Sequence, residues 1–308
     1  MFFPIATLSR LIVTGKDRAK YLHNFCTNSI KELRSGQSCE AFFCDVKAKV
    51  IAHGYVLAFD ECLEIWMVAG DEAGLLKHLN RYIITEDVFI NSVTESTSVF
   101  AAFGTSSSQQ LLSAVKAAEA MLPEPRCCLR LTSIDADTNG ELPRTAFCVT
   151  WAETTMLWLG TQKKSDVVAL TAGGDTNDSK FELLRIRERF PLIHQDLSSD
   201  NMVPEAARNT SAISYVKGCY LGQEPIARLD AMGHVNRSLQ CVESSASAEQ
   251  LLQAKILTAE DAIVGTVTSA ANTEHGSIGL SLLRANAVQG RLHCLIDGRN
   301  VAVTVERR

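Results

Sequence analysis

Three strand-like runs crowd together near the front of the chain: Ser38–Cys44, Lys49–Phe59 and Cys62–Val68. Only the polar link Asp45–Lys47 separates the first two, and the third follows within a few residues. Links this short leave no room for the crossover a parallel pair needs, so hairpin-like antiparallel pairing is expected. Helical spacing is confined to a few segments between such runs. An α+β protein with mainly antiparallel sheets follows.

The rest of the chain fits that frame. The opening MFFPIATLSRLIVTG has no basic leader, Pro4 interrupts it and Arg10 splits it, so it reads as a first strand and not as a signal peptide. Asp17 is a plausible N-cap for a helix over Arg18–Asn24 with Tyr21, Leu22 and Phe25 on one face. Asp71 caps a second, which carries Leu75, Leu76, Leu79 and Ile83 at helical spacing. Strands are expected at Phe89–Val93, Val99–Phe103, Leu129–Ile134, Phe147–Trp151 and Met156–Leu159, and helices at Ser106–Met121 and Lys180–Arg189. Residues 171–179, TAGGDTNDS, read as a turn-rich break, and Ile193–Ser214 as a long irregular stretch. After Leu239 the runs become short and β-like: Ala262–Ala270, Ser277–Ser281, Arg291–Ile296 and Val301–Glu306. A body over residues 1–238 and a small β barrel or sandwich over 239–308 are expected.

Composition narrows the chemistry. Net charge is −5, which gives no basic footprint for direct contact with nucleic acid. No apolar run reaches the roughly 18 residues of a membrane span. The 10 cysteines form no CxxC pair, so a metal site from sequence-local ligands is not expected. Cys39, Cys44 and Cys148 lie among strand-like apolar residues, where a reduced thiol behaves as a small hydrophobe. That usage points to a reducing compartment and a cytoplasmic location.

The string KGCYLGQEPIAR, Lys217–Arg228, stands apart. Gly218 and Gly222 allow a tight turn that presents Cys219. A cation such as Lys217, or a helix N-terminus near Glu224, would favour its thiolate. The bland alternative is a buried turn cysteine, and the two stand about even on residue type alone. Arg228 and Arg237 could grip a carboxylate, although an ion pair to Glu224 or Asp230 leads. Glu224 could orient Lys217 or accept from a ring amine, against the bland reading of an exposed cap. Gln223 could bond a ring edge, or merely satisfy backbone. Tyr220 could stack on a ring or fill core. Asn28 reads as a helix C-cap. His53 and His234 read as structural histidines.

KGCYLGQE, then Arg228, then GHVNRSL (Gly233–Leu239), resembles the signature of YgfZ-type proteins. These are folate-binding relatives of the glycine-cleavage T-protein, an aminomethyltransferase, and they help assemble or maintain iron–sulfur enzymes, tRNA-modifying ones included. CTNS at Cys26–Ser29, the segments RIRERFPLIHQDL and NMVPEAA, and GTVTSAA at Gly265–Ala271 are similar to further family segments. The resemblance implies a folate-binding α+β body with an embedded ferredoxin-like portion, plus a C-terminal β barrel, in a ring-like arrangement. It implies tetrahydrofolate or a derivative as cofactor and iron–sulfur client or assembly proteins as partners. It makes Cys219 a reactive thiol with Lys217 beside it. It places Asn28, Tyr220, Gln223, Glu224, Arg228 and Arg237 at the folate.

Departures from the pattern weigh against the alternative reading of a tetrahydrofolate-dependent C1 transferase. The T-protein has an Asp-Asp pair where this chain has Ala52 and His53, and a GYTGE-type motif where residues 143–151 read PRTAFCVTW. Without that carboxylate a classical aminomethyltransferase is not expected. Ser29 replaces an acidic residue, Lys47, Ala48 and Lys49 replace a KGR turn, Arg187 replaces a pterin-reading glutamate, and Arg189 a glycine. Glu188 is adjacent but points about 100° away on a helix. Arg187 and Arg189 could form an anion subsite, although a solvated helix face leads.

Overall fold

A computed structural model describes residues 2–5, 8–117, 120–131, 143–173, 179–233 and 235–306. The chain divides into two units. The first comprises Met1–His23, Ser29–Ala41 and Gly54–Asp178, and the second Asn24–Asn28, Phe42–His53 and Ser179–Arg308.

The first part of the chain supplies β1 (Phe2–Pro4), β2 (Leu8–Thr14), α1 (Arg18–Phe25), β3 (Ser38–Cys44), β4 (Val50–Ala58), β5 (Leu63–Val68) and α2 (Glu72–Asn80). Then come β6 (Phe89–Ser92), β7 (Ser98–Phe103), α3 (Gly104–Ala114), β8 (Cys128–Leu131), β9 (Arg144–Trp151), β10 (Thr154–Thr161) and α4 (Lys164–Gly173). They build two five-stranded sheets, β1-β7-β10-β9-β8 and β3-β4-β5-β2-β6, and every named pairing is antiparallel. Asp71 caps α2 as expected, its carboxylate accepting from the Gly74 amide at 2.8 Å.

Arg10, which interrupts the first apolar run, is fully buried on β2. Its guanidinium meets the buried Glu64 of β5 in a two-point pair at 2.9 and 2.8 Å. Glu64 also accepts from Trp66 Nε1 at 2.7 Å and Thr145 Oγ1 at 3.1 Å, and Arg130 reaches it from β8. A buried carboxylate is costly unless its lone pairs are filled, and here several donors do so. On the other face of the β7–β10–β9 sheet, Leu111 and Leu112 of α3 and Leu170 of α4 pack on Phe100, Leu157 and Leu159.

The second unit adds α5 (Ser179–Glu188), a 3₁₀ turn (Val203–Ala206), α6 (Asn209–Ala212) and α7 (Gln223–Met232). It continues with β11 (Arg237–Ser244), α8 (Ala248–Leu251), β12 (Lys255–Thr258), β13 (Ile263–Thr273), β14 (Gly276–Arg284), β15 (Leu292–Ile296) and β16 (Arg299–Val305). These six strands close a barrel in the order β11-β14-β13-β12-β15-β16. Closure runs through β11 and β16, where Val242 faces Val305. Val242, Val267, Leu283 and Val303 fill the interior. Ile186 of α5 packs outside, on Leu239, Cys241, Ile278 and Leu280. The mixed α+β architecture with a C-terminal barrel is the one the sequence predicts.

Some local expectations need correction. α3 ends at Ala114, well short of Met121, because Lys116 takes a left-handed φ of 57°. α4 lies where no element is expected: its apolar residues are split, with Leu170 buried and Val168 exposed. The Ile193–Ser214 stretch is not wholly irregular, since it holds the 3₁₀ turn and α6. β11 and β12 also escape the pattern reading, β12 being only 4 residues long. The last part of the expected Leu129–Ile134 strand, most of the 171–179 break, and His234 lie outside the described residues. Among the described residues, no helix is long and apolar enough to cross a membrane. Nor does any group of three His, Cys, Asp or Glu side chains there stand ready to hold a metal ion.

Candidate functional site

Within the second unit, residues 213–222 connect α6 to α7 and carry the KGCYLG string. Backbone bonds anchor both ends of this loop to the last turn of α1 and the chain just after it. Ser214 N donates to Thr27 O at 2.9 Å and Leu221 N to Asn24 O at 2.8 Å. Gly222 has a φ of +82° and caps α7. A Cβ there would lie 2.5 Å from the Asp45 carbonyl and 2.8 Å from Cys44 Sγ, so only glycine fits. Gly218 differs, since a Cβ there meets nothing within 4 Å.

Between these glycines the side chains part company. Cys219 is exposed, as are Tyr215 and Val216 just before it, Val216 almost completely at 98%. Tyr220 turns inward onto Phe42, Cys44 and Ile226. Burial pushes its hydroxyl well above the ordinary phenol range. Lys217 is also buried, at 7% exposure. Its ammonium donates to the carbonyls of Cys26 and Asn28, both at 2.7 Å, and lies 4.7 Å from the centre of the Tyr220 ring. The ring face adds a cation–π attraction of about 0.5–2 kcal/mol.

Asn28 stands beyond the end of α1 and donates from Nδ2 to the Ser211 carbonyl at 3.2 Å. Gln223 and Glu224 open α7, with Glu224 exposed, and Arg228 is exposed farther along that helix. Arg237 opens β11 and pairs through Nε with Glu205 at 3.2 Å, its side chain half exposed. The partner is neither Glu224 nor Asp230. Thus Lys217, Tyr220 and Asn28 share one set of contacts, whereas Arg237 belongs to a separate pair with Glu205.

The ten thiols differ sharply. Cys219 is the exposed one, Cys39 and Cys127 are half-buried, and the other seven are buried. Burial pushes the thiols of Cys44, Cys128 and Cys148 up to about 12, and those of Cys62 and Cys294 to about 11. Thiols raised that far stay protonated at neutral pH and are poor nucleophiles.

Ala52 and His53 are both sealed, His53 at 1% exposure. The imidazole stacks on Phe42 at 4.2 Å and meets Phe190 at 4.3 Å. Arg187 is exposed on α5, and Glu188, one residue on, is buried and pairs with Arg208 at 2.8 Å. Arg189 donates from Nη2 to the Glu306 carbonyl at 2.5 Å.

The sequence reading misses a buried polar cluster in this unit. Arg185 is fully buried and donates to Asp196 at 2.7 Å, Ser269 Oγ at 2.6 Å, the Phe190 carbonyl at 2.8 Å and Glu182 at 2.8 Å. Asp196 accepts in addition from Thr268 and Ser269, both at 2.6 Å. The signal lay in the quoted segment RIRERFPLIHQDL: an arginine and an aspartate amid Ile186, Phe190 and Ile193, all of which are core.

The sequence profile described as the GCVT N-terminal domain matches residues 1–126. The tRNA-modifying protein YgfZ of Colwellia psychrerythraea is 24% identical over 248 residues, covering 78% of this chain and 70% of that protein. Its namesake from Yersinia pseudotuberculosis is 29% identical over 245 residues, covering 76% and 68%. The crystal structure of the glycine cleavage system aminomethyltransferase T from Bartonella henselae superposes with a TM-score of 0.82 at 13% identity, covering 99% of this chain and 84% of that one. The chain is similar to the YgfZ-named proteins over about three quarters of its length and shares the fold of the glycine-cleavage T-protein.

A plant relative in the same set, a putative chloroplastic transferase of Arabidopsis thaliana, is 28% identical over 291 residues. That match takes in 92% of this chain and 65% of the plant protein, so this chain spans about two thirds of that relative's length. Among these relatives the T-protein likeness concerns fold alone.

Proposed function

We propose that this chain is a folate-binding accessory protein that supports iron–sulfur cluster assembly or repair in client enzymes, including tRNA-modifying ones. Cys219 is its reactive, partner-facing group. The observation that carries this reading is the contrast among the thiols: seven are sealed in packed surroundings, and the thiol of the signature loop stands in the open. The names of the YgfZ relatives support a connection with tRNA modification.

Tetrahydrofolate or a derivative is the ligand of this reading, on the side of Asn28, Tyr220, Gln223, Glu224, Arg228 and Arg237. A transferase of the T-protein kind is disfavoured, because Ala52 and the stacked His53 supply no carboxylate to the reacting carbon. Cys219 offers one thiolate, so iron bound there would be shared with a partner or held in transit. Free thiols throughout support a reducing compartment, and the cytoplasm is our proposal, although the plant relative's name places that protein in the chloroplast.

The test is complementation. A strain lacking the protein is expected to show lowered activity of an iron–sulfur enzyme such as aconitase. The native chain restores it and Cys219→Ala does not. Full rescue by Cys219→Ala removes the thiol from the mechanism.

A further inference from the structure

We propose that Lys217 is a positioning residue: its ammonium holds the Asn24–Asn28 segment in register with the Cys219 loop, and does not activate the Cys219 thiol. This rests on the reading above in one respect, that Asn28 faces the ligand.

The geometry of the ammonium carries the case. An ammonium has three donors and no acceptor. Two of the Lys217 donors go to carbonyls two residues apart, Cys26 O and Asn28 O, each at 2.7 Å. Two carbonyls two residues apart converge on one ammonium only when the backbone between them turns both to the same point. Here Cys26 bridges Phe43 in antiparallel fashion, Thr27 N donates to Phe42 O at 2.9 Å, and the chain bends at Thr27 and Asn28, so both carbonyls meet the one ammonium. Lys217 therefore recognises one conformation of residues 26–28. The Tyr220 ring closes the ammonium off from a second side.

The same segment is fastened by bonds that lead back toward the loop. Thr27 Oγ1 donates to the Ala212 carbonyl at 2.6 Å and accepts from Phe42 N at 2.9 Å. The Asn28 side chain reaches the Ser211 carbonyl at 3.2 Å. Asn28 is thus fixed by Lys217 at its carbonyl and by Ser211 at its amide. At the buried thiols of Cys26 and Cys44 the Lys217 charge opposes the upward push of burial. Cys219 lies in the same loop with its side chain turned to solvent.

The experiment uses the full chain with Lys217→Met, and none of its primary readouts needs folate. The first is the pH profile of Cys219 alkylation by iodoacetamide. We expect its midpoint to stay within about 0.3 pH unit of the native value, whereas a lost activating cation would raise it by about one unit or more. The second is amide hydrogen exchange over residues 24–28, which should speed up about tenfold or more as the clamp is lost. The third is rescue. In Lys217→Ala, added propylammonium should restore slow exchange and tetramethylammonium, which has no N–H, should not. This arm also serves if Lys217→Met does not fold. A raised alkylation midpoint with unchanged exchange overturns the proposal, as does rescue by both amines alike. Failure of the folate reading has a separate signature: no binding of tetrahydrofolate by the native chain, with all three readouts behaving as expected.

Discussion

Gly222 lies directly against the sulfur of Cys44, where a β-carbon would come within 2.8 Å. The Cys44 thiol donates to the carbonyl of Leu221, one residue earlier, at 3.4 Å. The turn Asp45–Ala48 and the start of α7 thereby share one close contact, on which the direction of the Cys219 loop depends.

Gly222→Ala is expected to destabilise the chain by about 2 kcal/mol or more, since the left-handed conformation alone costs about 1–2 kcal/mol for a residue with a β-carbon. Gly218→Ala, with open space around it, is expected to stay within about 0.5 kcal/mol. Urea unfolding of the two variants, side by side, checks this. Equal losses would show that the loop's glycines are not distinguished by their surroundings.

Native protein treated with a disulfide reagent should release one thiol equivalent quickly, from Cys219. Cys39 and Cys127 should follow slowly and the seven buried thiols only after denaturation. Cys219→Ser should abolish the fast phase while shifting stability by no more than about 0.5 kcal/mol. A fast phase that survives the substitution would place the reactive thiol elsewhere.

The Arg10–Glu64 pair predicts an acid-sensitive contribution to stability. Burial raises the Glu64 carboxyl, but Arg10, Arg130 and Trp66 outweigh it and hold the group below its ordinary value. A carboxylate lowered on folding adds stability above its unfolded value of about 4.3 and loses it as pH falls through the folded value. Glu64→Gln should therefore cost about 3–5 kcal/mol at pH 7, because it leaves a buried guanidinium without its counter-charge. The gap between variant and native protein should narrow as pH drops below that carboxylate range. Denaturant midpoints at several pH values measure it, and a gap independent of pH would contradict the assignment.

Arg185→Met should cost a similar amount, about 3–5 kcal/mol, because Asp196 is left buried and charged. The double variant Arg185→Met, Asp196→Asn should recover part of the loss, with a coupling of about 1–3 kcal/mol. Strictly additive losses in thermal unfolding would mean that the two side chains act independently.

Much of this was legible from the residues alone. Alternation and short polar links place β3, β4 and β5 almost to the residue, because strand period and turn chemistry are local. Asp71 announces its cap for the same reason. What was not legible depended on distant partners. Arg10 breaks an apolar pattern, and only Glu64, 54 residues away, explains its burial. Lys217 reads as a cation beside a thiol; its partners are carbonyls 191 and 189 residues away. Val168 faces out while Leu170 faces in, so α4 shows no single apolar stripe. Arg237 found Glu205 rather than a neighbour on its own stretch.

Isothermal titration of the full chain with tetrahydrofolate tests most directly whether the protein is a folate-binding accessory. A saturable isotherm with one site per chain is the predicted result. A flat titration, with the protein folded and in large excess over any plausible dissociation constant, would contradict it.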